Sequence, residues 1–299
     1  MQLGVALTWP DQPEEIEAAL SQLVAIAEGA GVDSLWTADH FFQIPVSGKP
    51  AEAPMLEAYA TLAFLAGRTS RIRLGTLVTS VTYRHPGPLI KLVSSLDLLS
   101  GGRFTFGVGA GWYQAEADAL GIPFPPLGVR FQQLEELLQI AHRMWSDDRS
   151  PFAGRHFQLG APVNSPNSPQ RPHPPILIGG GGERRTLRLV AEYGDACNFF
   201  DIPGWRDPEL ERKLAVLREH CRAVGRDCRE IERTTTTFFD LGQGGPADQS
   251  RLLEHLAALG DLGFSLAILG GEWTEATLEA VGSLVNRIHE IPVREEIAS

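Results

Sequence analysis

The opening stretch Leu3-Gly-Val-Ala-Leu-Thr-Trp-Pro10 decides between the two α/β folds that fit this chain. It has the composition of an apolar strand, and Pro10-Asp-Gln-Pro13 opens a helix directly after it. An open sheet of the dinucleotide-binding kind would need a G-x-G-x-x-G turn at this point, and the sequence has none. The first strand therefore favours a closed (β/α)8 barrel, a fold that typically needs about 250 residues.

Seven further apolar runs follow, each with a helical pattern behind it. The eight predicted strands are Leu3–Trp9, Ser34–Ala38, Ile72–Ser80, Phe104–Val108, Pro175–Ile178, Ala196–Phe200, Ile231–Leu241 and Ser265–Leu269. Glycine is a common helix stop, so Gly31 is predicted to end the first helix. Eight strand–helix units make a single α/β domain over residues 1–299, a (β/α)8 TIM barrel, the economical prediction.

The alternation pauses at Asp147–Pro175, which carries seven prolines and little periodicity. This segment is predicted to be an insertion before the fifth strand, and long loops of this kind are often functional. Together with the loops around Phe41–Pro54 it is expected to shape a substrate pocket. The side chains that suggest an apolar guest there are Phe41, Phe42, Trp112 and Trp205.

Composition narrows the class of partner. The formal net charge of −11 argues against a general nucleic-acid binder, because phosphate backbones demand clustered cations. Three cysteines, Cys197, Cys221 and Cys228, form no CxxC pair and no metal-binding spacing, which fits a reducing cytoplasm. No basic leader and no apolar stretch of bilayer length is present. The sequence thus predicts a soluble, cytoplasmic protein without a membrane partner, acting on a small-molecule substrate.

Asp39 and His40 end the second strand, where a barrel places its catalytic groups. Histidine can donate or accept a hydrogen bond near neutral pH, and Asp39 could orient it or cap the following segment. Because adjacent strand residues point to opposite faces, only one of the two is expected to reach an active centre. The alternative is structural: Asp39 satisfies loop amides, and His40 packs beside Phe41 and Phe42.

Gly179–Gly182 runs into Glu183-Arg-Arg-Thr186 and a helix. Glycines let an anion approach the backbone, and free N–H groups with the helix dipole attract phosphate. Arg184 or Arg185 could add charge-assisted hydrogen bonds. The alternative is a tight turn with solvated arginines. Phosphate loops in barrels more often follow strands seven and eight, whereas this one follows the fifth.

Two further strand ends could receive a ring. Gly107-Val-Gly-Ala-Gly-Trp112 closes the fourth strand, and its alternating glycines leave room for a planar group or merely relieve crowding. Thr79–Thr82 ends the third strand with hydroxyls that could hydrogen-bond a polar cofactor or simply finish the strand. No HExxH, GxSxG or GxxxxGK[ST] motif occurs, which argues against zincin, α/β-hydrolase and P-loop chemistry.

Taken together, these segments resemble the luciferase-like monooxygenase family. The stretches that carry the resemblance are Gly31–His40, Ile72–Thr79, Arg84–Pro86, Leu96–Phe104, Gly107–Trp112 and Pro175–Gly182. The resemblance implies a (β/α)8 barrel that binds coenzyme F420 or FMN in its mouth. Leu35-Trp-Thr-Ala-Asp-His40 and Gly109-Ala-Gly-Trp112 are more similar to the F420-dependent branch.

The same resemblance implies roles for the strand ends. His40 would lie near the redox ring, and Asp39 would support the site. The residues that line the ring would include the end of the third strand, where the family often has a non-prolyl cis peptide. The phosphate of the cofactor would lie on the glycine loop. The implied ring-lining residues are Thr79, Ser80, Gly109, Ala110 and Gly111, and the implied phosphate-binding residues are Gly180, Gly181 and Gly182.

One departure bears on the substrate. Sugar-phosphate dehydrogenases of the family carry a glutamate where this chain has Trp112, so a sugar phosphate is not the expected substrate. Glu116, a turn further on, is interpreted as a helix residue.

The leading hypothesis is an F420-dependent oxidoreductase that transfers a hydride between the deazaflavin and a small organic substrate, with His40 donating a hydrogen bond or proton. The alternatives are an FMN-dependent monooxygenase that uses reduced flavin and oxygen, and a non-catalytic cofactor-binding protein. Barrels of this family commonly dimerise, so a homodimer is expected.

Overall fold

The computed structural model describes residues 1–201, 209–239, 245–271 and 273–294. Trp205 and the predicted strand end at Leu241 lie outside the described residues. The strands are β1 (Gln2–Ala6), β2 (Ser34–Thr37), β3 (Arg73–Thr76), β4 (Thr79–Ser80), β5 (Phe104–Gly109), β6 (Phe152–Ala153), β7 (Gln158–Leu159), β8 (Ile176–Gly179), β9 (Ala196–Asp201), β10 (Glu232–Phe238) and β11 (Leu266–Gly270). The helices are α1 (Ile16–Ala30), α2 (Ala58–Ala66), α3 (Pro86–Leu99), α4 (Gln114–Ala119), α5 (Leu127–Trp145), α6 (Thr186–Tyr193), α7 (Glu209–Val224), α8 (Pro246–Asp261) and α9 (Glu275–His289).

Parallel strands alternate with helices along the chain, with β3 and β4 forming one interrupted strand. This is the (β/α)8 barrel fold, so the predicted fold class is confirmed. Glu116 lies in the short helix α4, as interpreted from the sequence, and α5 follows it from Leu127. None of the helices in the described residues is long and apolar enough to cross a lipid bilayer.

By internal packing the chain forms two compact units, and the first comprises the described residues of 1–37, 71–73 and 177–294. Its parallel sheet runs in the order β2, β1, β11, β10, β9, β8. Leu3, Leu35 and Ile268 are fully buried in it, and each such side chain contributes about 1.5–3 kcal/mol by leaving water. As predicted, α1 ends at Gly31, whose φ of 89° lies in the left-handed region that glycine adopts without strain.

The second unit comprises residues 38–70 and 74–176. Its strand β5 pairs first with β3 and then with β4. Between these pairings the Thr76 hydroxyl donates to the Gly107 carbonyl at 2.8 Å and accepts from the Gly107 N–H at 3.0 Å. A side chain thus replaces the regular backbone ladder, which corrects the prediction of one continuous strand over Ile72–Ser80. The Leu77–Val78 peptide that follows is cis.

Within the second unit, the insertion Asp147–Pro175 is ordered by two helix-borne carboxylates. Glu136 of α5 accepts from the backbone N–H groups of Arg155, His156 and Phe157, on and beside the β6–β7 hairpin. Asp97 of α3 accepts from side chains near the end of the segment, including Gln170 Nε2 at 2.7 Å. The segment is therefore held along α3 and α5, and its expected role in shaping a substrate pocket stays a prediction.

The tight approach of β3 and β5 predicts a stability effect at Gly107. A Cβ atom there would lie 1.8 Å from the Thr76 carbonyl oxygen, so Gly107→Ala must displace one of the two strands. We expect a loss of about 2–3 kcal/mol in the free energy of unfolding, measured by urea denaturation. The control is Gly29→Ala in α1, where an added Cβ meets nothing within 4 Å and alanine should stabilise the helix by about 0.5–1 kcal/mol. Equal stabilities for the wild type and Gly107→Ala would contradict this account.

Candidate active site

Asp39 and His40 follow directly after β2 and are both buried in the second unit. Asp39 is fully buried, and His40 is 8% exposed. Their partners are different, so the two neighbouring residues do not act as a hydrogen-bonded pair. Each is fixed by a side chain distant in sequence.

Asp39 forms a two-pronged ion pair with Arg84, whose Nη1 and Nη2 lie 2.6 and 3.1 Å from the two carboxylate oxygens. The same guanidinium reaches Glu57, the N-cap of α2, and lies 4.7 Å from the centroid of the Tyr59 ring. Paired, planar contacts of this kind are among the stronger hydrogen bonds in proteins. The arrangement ties the chain at Asp39 to the starts of α2 and α3, and it does not orient His40.

The titration of this pair follows from its burial. Desolvation raises the pKa of Asp39, while Arg84 and a hydrogen bond from Thr79 oppose that rise. The pKa of Arg84 is itself raised, although burial alone lowers it, because the charge of Asp39 stabilises the guanidinium. Since arginine does not deprotonate in proteins and both prongs are made, we assign an ionised pair.

His40 is oriented by Glu116 of α4, which is fully buried. His40 Nδ1 lies 2.9 Å from Glu116 Oε2, and the Tyr83 hydroxyl donates to the same oxygen. The other oxygen, Oε1, accepts from the backbone N–H groups of Phe41 and Phe42 at 2.6 and 2.8 Å. Both carboxylate oxygens are thus occupied by donors, which fixes the imidazole and the two residues after it.

The hydrogen bonds set the charge of Glu116. Burial by itself would raise its pKa, but the hydrogen bonds from His40 and Tyr83 outweigh burial, and the pKa lies below its ordinary value of 4.5. The pKa of Tyr83 is raised by burial and by its bond to Glu116, so the phenol stays a donor. Because an ionised carboxylate only accepts, His40 donates to Glu116 through its Nδ1 hydrogen.

Aromatic rings surround His40 within the second unit. Trp112 and Tyr113 lie edge-on to the imidazole, with ring centroids 5.5 and 5.9 Å away, and they stack on each other. Trp112 is 57% exposed, so it can contact a bound molecule while it touches His40. Phe41, another residue expected near an apolar guest, is half-buried and packs against Tyr83.

The ends of β4 and β5 lie against each other in the strand pairing. Thr79 is fully buried, and its hydroxyl lies 2.8 Å from the Tyr59 hydroxyl, so this side chain is committed to the protein. Ser80 is opposite Gly109 in the strand pairing and bonds Thr82 at 2.9 Å. A Cβ at Gly111 would lie 2.2 Å from Ser80 Oγ, so the close contact requires glycine there.

Arg130 of α5 fixes the turn after β5. Its Nε donates to the Ala110 carbonyl at 3.0 Å and its Nη1 to the Pro125 carbonyl at 2.6 Å, with the guanidinium 3.9 Å from the centroid of Phe124. Burial lowers the pKa of this arginine. The backbone at Ala110 is therefore held from outside the strand, which the sequence did not reveal.

The glycine loop belongs to the first unit and leads from β8 toward α6. Gly180, with a φ of 108°, is bonded through its N–H to Asn198. Gly181 lies beside the aliphatic stem of Lys213, and a Cβ at Gly182 would lie 2.9 Å from Thr186 Oγ1. Gly180 and Gly181 are half-buried and Gly182 is exposed, so a bare and accessible stretch of backbone lies next to the start of α6.

Sequence reasoning missed Glu116. It does lie in a helix, as interpreted, but its role comes from complete burial and from donors far away in sequence. The six-residue helix α4 is too short to show a hydrophobic period, so no local pattern indicates that Glu116 faces inward. Tyr83 and Arg84 were missed for the same reason, because their partners come from other segments.

The Glu116 cluster predicts a pH-dependent effect on stability. Glu116→Gln keeps the shape but points an NH2 group at groups that donate, and we expect a loss of about 2–3 kcal/mol in the free energy of unfolding at neutral pH. A lowered folded-state pKa contributes stability above the ordinary value of 4.5 that is lost as the pH falls. The difference in the free energy of unfolding between Glu116→Gln and the wild type, measured by urea denaturation, should therefore become smaller below pH 4.5.

The control for this experiment is Glu254→Gln, at an exposed position of α8. It should change stability by less than about 0.5 kcal/mol at any pH. A Glu116→Gln variant as stable as this control would show that the four hydrogen bonds contribute nothing net.

Comparison with known proteins identifies the family of this chain. The model of the luciferase-like monooxygenase family matches residues 1–284. An F420-dependent glucose-6-phosphate dehydrogenase of Kineococcus radiotolerans is 33% identical over 217 residues, which are 72% of this chain and 61% of that protein. Its counterpart in Amycolatopsis mediterranei is 29% identical over 70% of this chain and 60% of its own length. The chain thus spans about three fifths of the length of the curated relatives it matches.

Solved structures agree on the fold. An F420-dependent secondary alcohol dehydrogenase in complex with an F420-acetone adduct is similar with a TM-score of 0.81 at 18% identity, covering 96% of this chain and 98% of that one. A monooxygenase from Streptomyces bottropensis has a TM-score of 0.76 at 19% identity, covering 97% and 98%. With a family model matched along nearly its whole length and this fold, the chain belongs to the luciferase-like monooxygenase family.

Proposed function

We propose that this protein is an F420-dependent oxidoreductase that transfers a hydride between the deazaflavin and a small organic substrate. The observation that carries the proposal is the His40–Glu116 pair: a histidine at a strand end, fixed by a buried carboxylate and flanked by an exposed tryptophan. A base that is oriented by a third group is the usual arrangement for proton transfer in active sites.

His40 supplies the acid–base function in this proposal. Nδ1 donates to Glu116, and among the residues that the structure describes Nε2 forms no hydrogen bond. Nε2 accepts the proton that an alcohol releases as it is oxidised, and in the reverse direction it returns that proton to the carbonyl oxygen. The negative charge of Glu116 stabilises the imidazolium that forms. Histidine is therefore the proton carrier, and Glu116 is its positioning residue.

The glycine loop of the first unit fits the phosphate of the cofactor. Side chains are absent at three successive positions, so an anion can approach the backbone. A Cβ atom at Gly182 would crowd Thr186, which favours glycine at that position. The loop leads into α6, whose N-terminal end favours negative charge. We assign phosphate binding to Gly180, Gly181 and Gly182.

The strand ends of the second unit fit the ring. The close contact between Ser80 and Gly111 leaves a surface of backbone and small side chains, which suits a flat group. We assign ring contacts to Thr79, through its backbone, and to Ser80, Gly109, Ala110 and Gly111. When bound, the deazaflavin supplies the hydride donor or acceptor.

The comparisons favour F420 over FMN. The two glucose-6-phosphate dehydrogenase relatives are both named as F420-dependent, and so is the alcohol dehydrogenase of similar fold. The alternative is an FMN-dependent monooxygenase, because the family and the Streptomyces protein are both named as monooxygenases. The proposed substrate is a neutral alcohol or carbonyl compound, because the exposed Trp112 beside His40 offers an apolar surface.

The choice of cofactor predicts a binding result. Titration of the purified protein, followed by fluorescence, should give an F420 affinity at least about tenfold higher than that for FMN, a difference of about 1.4 kcal/mol. Tight binding of FMN alone would replace the leading proposal with the monooxygenase. Binding of F420 without oxidation of any alcohol in a broad panel would instead favour a non-catalytic binding protein.

The role of His40 predicts a split between turnover and affinity. His40→Ala should lower kcat by about 10²–10⁴, the usual contribution of a general acid–base, while the F420 Kd changes by less than about threefold. The matched control is His156→Ala, a histidine of the insertion that bonds Gln132. Its kcat should stay at the wild-type value. Unchanged turnover in His40→Ala would remove this residue from the mechanism.

The expected homodimer and cytoplasmic location remain proposals. Size-exclusion chromatography with light scattering would measure the mass of the assembly, to be compared with 32.6 kDa for one chain.

A further inference from the structure

Strands β9 and β10 of the first unit separate their side chains into two faces. Asp201 lies on one face, where its carboxylate is 2.5 Å from His255 Nε2 of helix α8. Because strand side chains alternate, Asn198 and Phe200 lie on the opposite face of β9, away from that helix. Thr236 is opposite Phe200 in the pairing with β10, so Thr236 and Phe238 share this second face.

The polar residues of this second face satisfy one another. Asn198 Nδ2 donates to Thr234 Oγ1, and Thr236 Oγ1 donates to Asn198 Oδ1, both at 2.9 Å. Thr234 in turn donates to the Cys197 carbonyl at 2.9 Å. All of these groups are buried, and none of these bonds requires a ligand. The buried part of this face is therefore a polar layer whose hydrogen bonds are made within the protein.

The same face ends in two parallel aromatic rings. Phe200 and Phe238 stack with centroids 6.2 Å apart and planes 6° apart. Phe200 is 61% exposed although the other residues of β9 are buried. The Phe238 ring packs against Gly270 of β11, so closely that a Cβ atom at Gly270 would lie 2.7 Å from the ring. The pair thus forms an apolar platform of two parallel rings, which we call the Phe200–Phe238 platform.

We infer that the Phe200–Phe238 platform of the first unit binds the flat, apolar ring of a neutral alcohol or carbonyl compound. Active sites of this fold are built at the carboxyl ends of the strands, where these two residues lie. An aromatic face stacks on another ring and gains little from a phosphate. No lysine or arginine occurs at residues 198–201, 236–239 or 268–271, where a sugar phosphate would need cations.

The inference rests on the proposed function for the identity of the substrate, and it adds the substrate class. It is tested by binding, without turnover. Benzyl alcohol serves as the probe and glucose 6-phosphate as the charged comparison, each titrated into the full chain by ligand-observed NMR. F420 is titrated separately into the same variants.

The variants are Phe200→Ala, Phe200→Tyr and Gly270→Ala. Phe200→Ala should weaken benzyl alcohol binding about tenfold, and Phe200→Tyr, which keeps the ring, should retain it. Gly270→Ala should also weaken binding, because the new methyl group displaces Phe238. Leu99→Ala, at a 72% exposed position of α3, is the control and should bind as the wild type does. The F420 Kd should stay within about threefold in Phe200→Ala, and glucose 6-phosphate should bind more weakly than benzyl alcohol throughout.

Three results would overturn the inference. They are unchanged benzyl alcohol affinity in Phe200→Ala, absence of benzyl alcohol binding to the wild type, and a loss of F420 affinity in Phe200→Ala with the benzyl alcohol affinity retained. The last would assign the platform to the cofactor instead. Phe200 is exposed, so its substitution leaves the fold intact even if Gly270→Ala does not. A protein that binds neither F420 nor FMN refutes the proposed function, yet the benzyl alcohol titrations still decide the fate of the platform.

Discussion

A single buried carboxylate, Glu116, sets the local structure around His40 in the second unit. It accepts from one imidazole, one phenol and two backbone N–H groups, and so it binds the chain at residues 40–42 to Tyr83 and to α4. A buried charge persists only when its oxygens are satisfied, and here all four donors converge on it. The orientation of the His40 ring and the path of the backbone after β2 are consequences of the same set of bonds.

Asp39 adds a second constraint at the adjacent position. Its ion pair with Arg84 fixes the chain at residue 39, directly before the segment 40–42 that Glu116 binds. Arg84 also contacts Glu57 at the start of α2. Removing one partner of such a buried pair leaves an uncompensated charge, at a cost of about 3–5 kcal/mol. Asp39 and His40 are held by different partners, Arg84 and Glu116. The orientation of His40 therefore does not depend on Asp39. The two carboxylates are thus alike in burial and different in role, since Asp39 holds the backbone and Glu116 holds the imidazole.

Patterns within a few residues were enough to predict the barrel. The alternation of apolar runs and amphipathic helices placed all eight parallel strands, and Gly31 marked the end of α1, because these features depend on local conformation. The interruption after β3 was not predictable, since it depends on the Thr76 hydroxyl meeting Gly107, 31 residues away. His40 and Asp39 could be singled out by their place at a strand end. Their partners Glu116 and Arg84 could not, because nothing local indicates which distant side chain shares a buried site.

The exposed apolar side chains bear more directly on the class of the proposed substrate than any sequence motif does. Most of the large apolar side chains exposed in the described residues are aliphatic, such as Leu98 and Leu99 on α3, and single exposures of this kind are ordinary. The two aromatic ones are Trp112, just after β5, and Phe200, near the end of β9. Both lie where strands end, and both stack on a second ring that keeps them in place. In each unit, an exposed aromatic ring at the carboxyl end of a strand is consistent with the proposed apolar substrate, the preference that the sequence already indicates at Trp112.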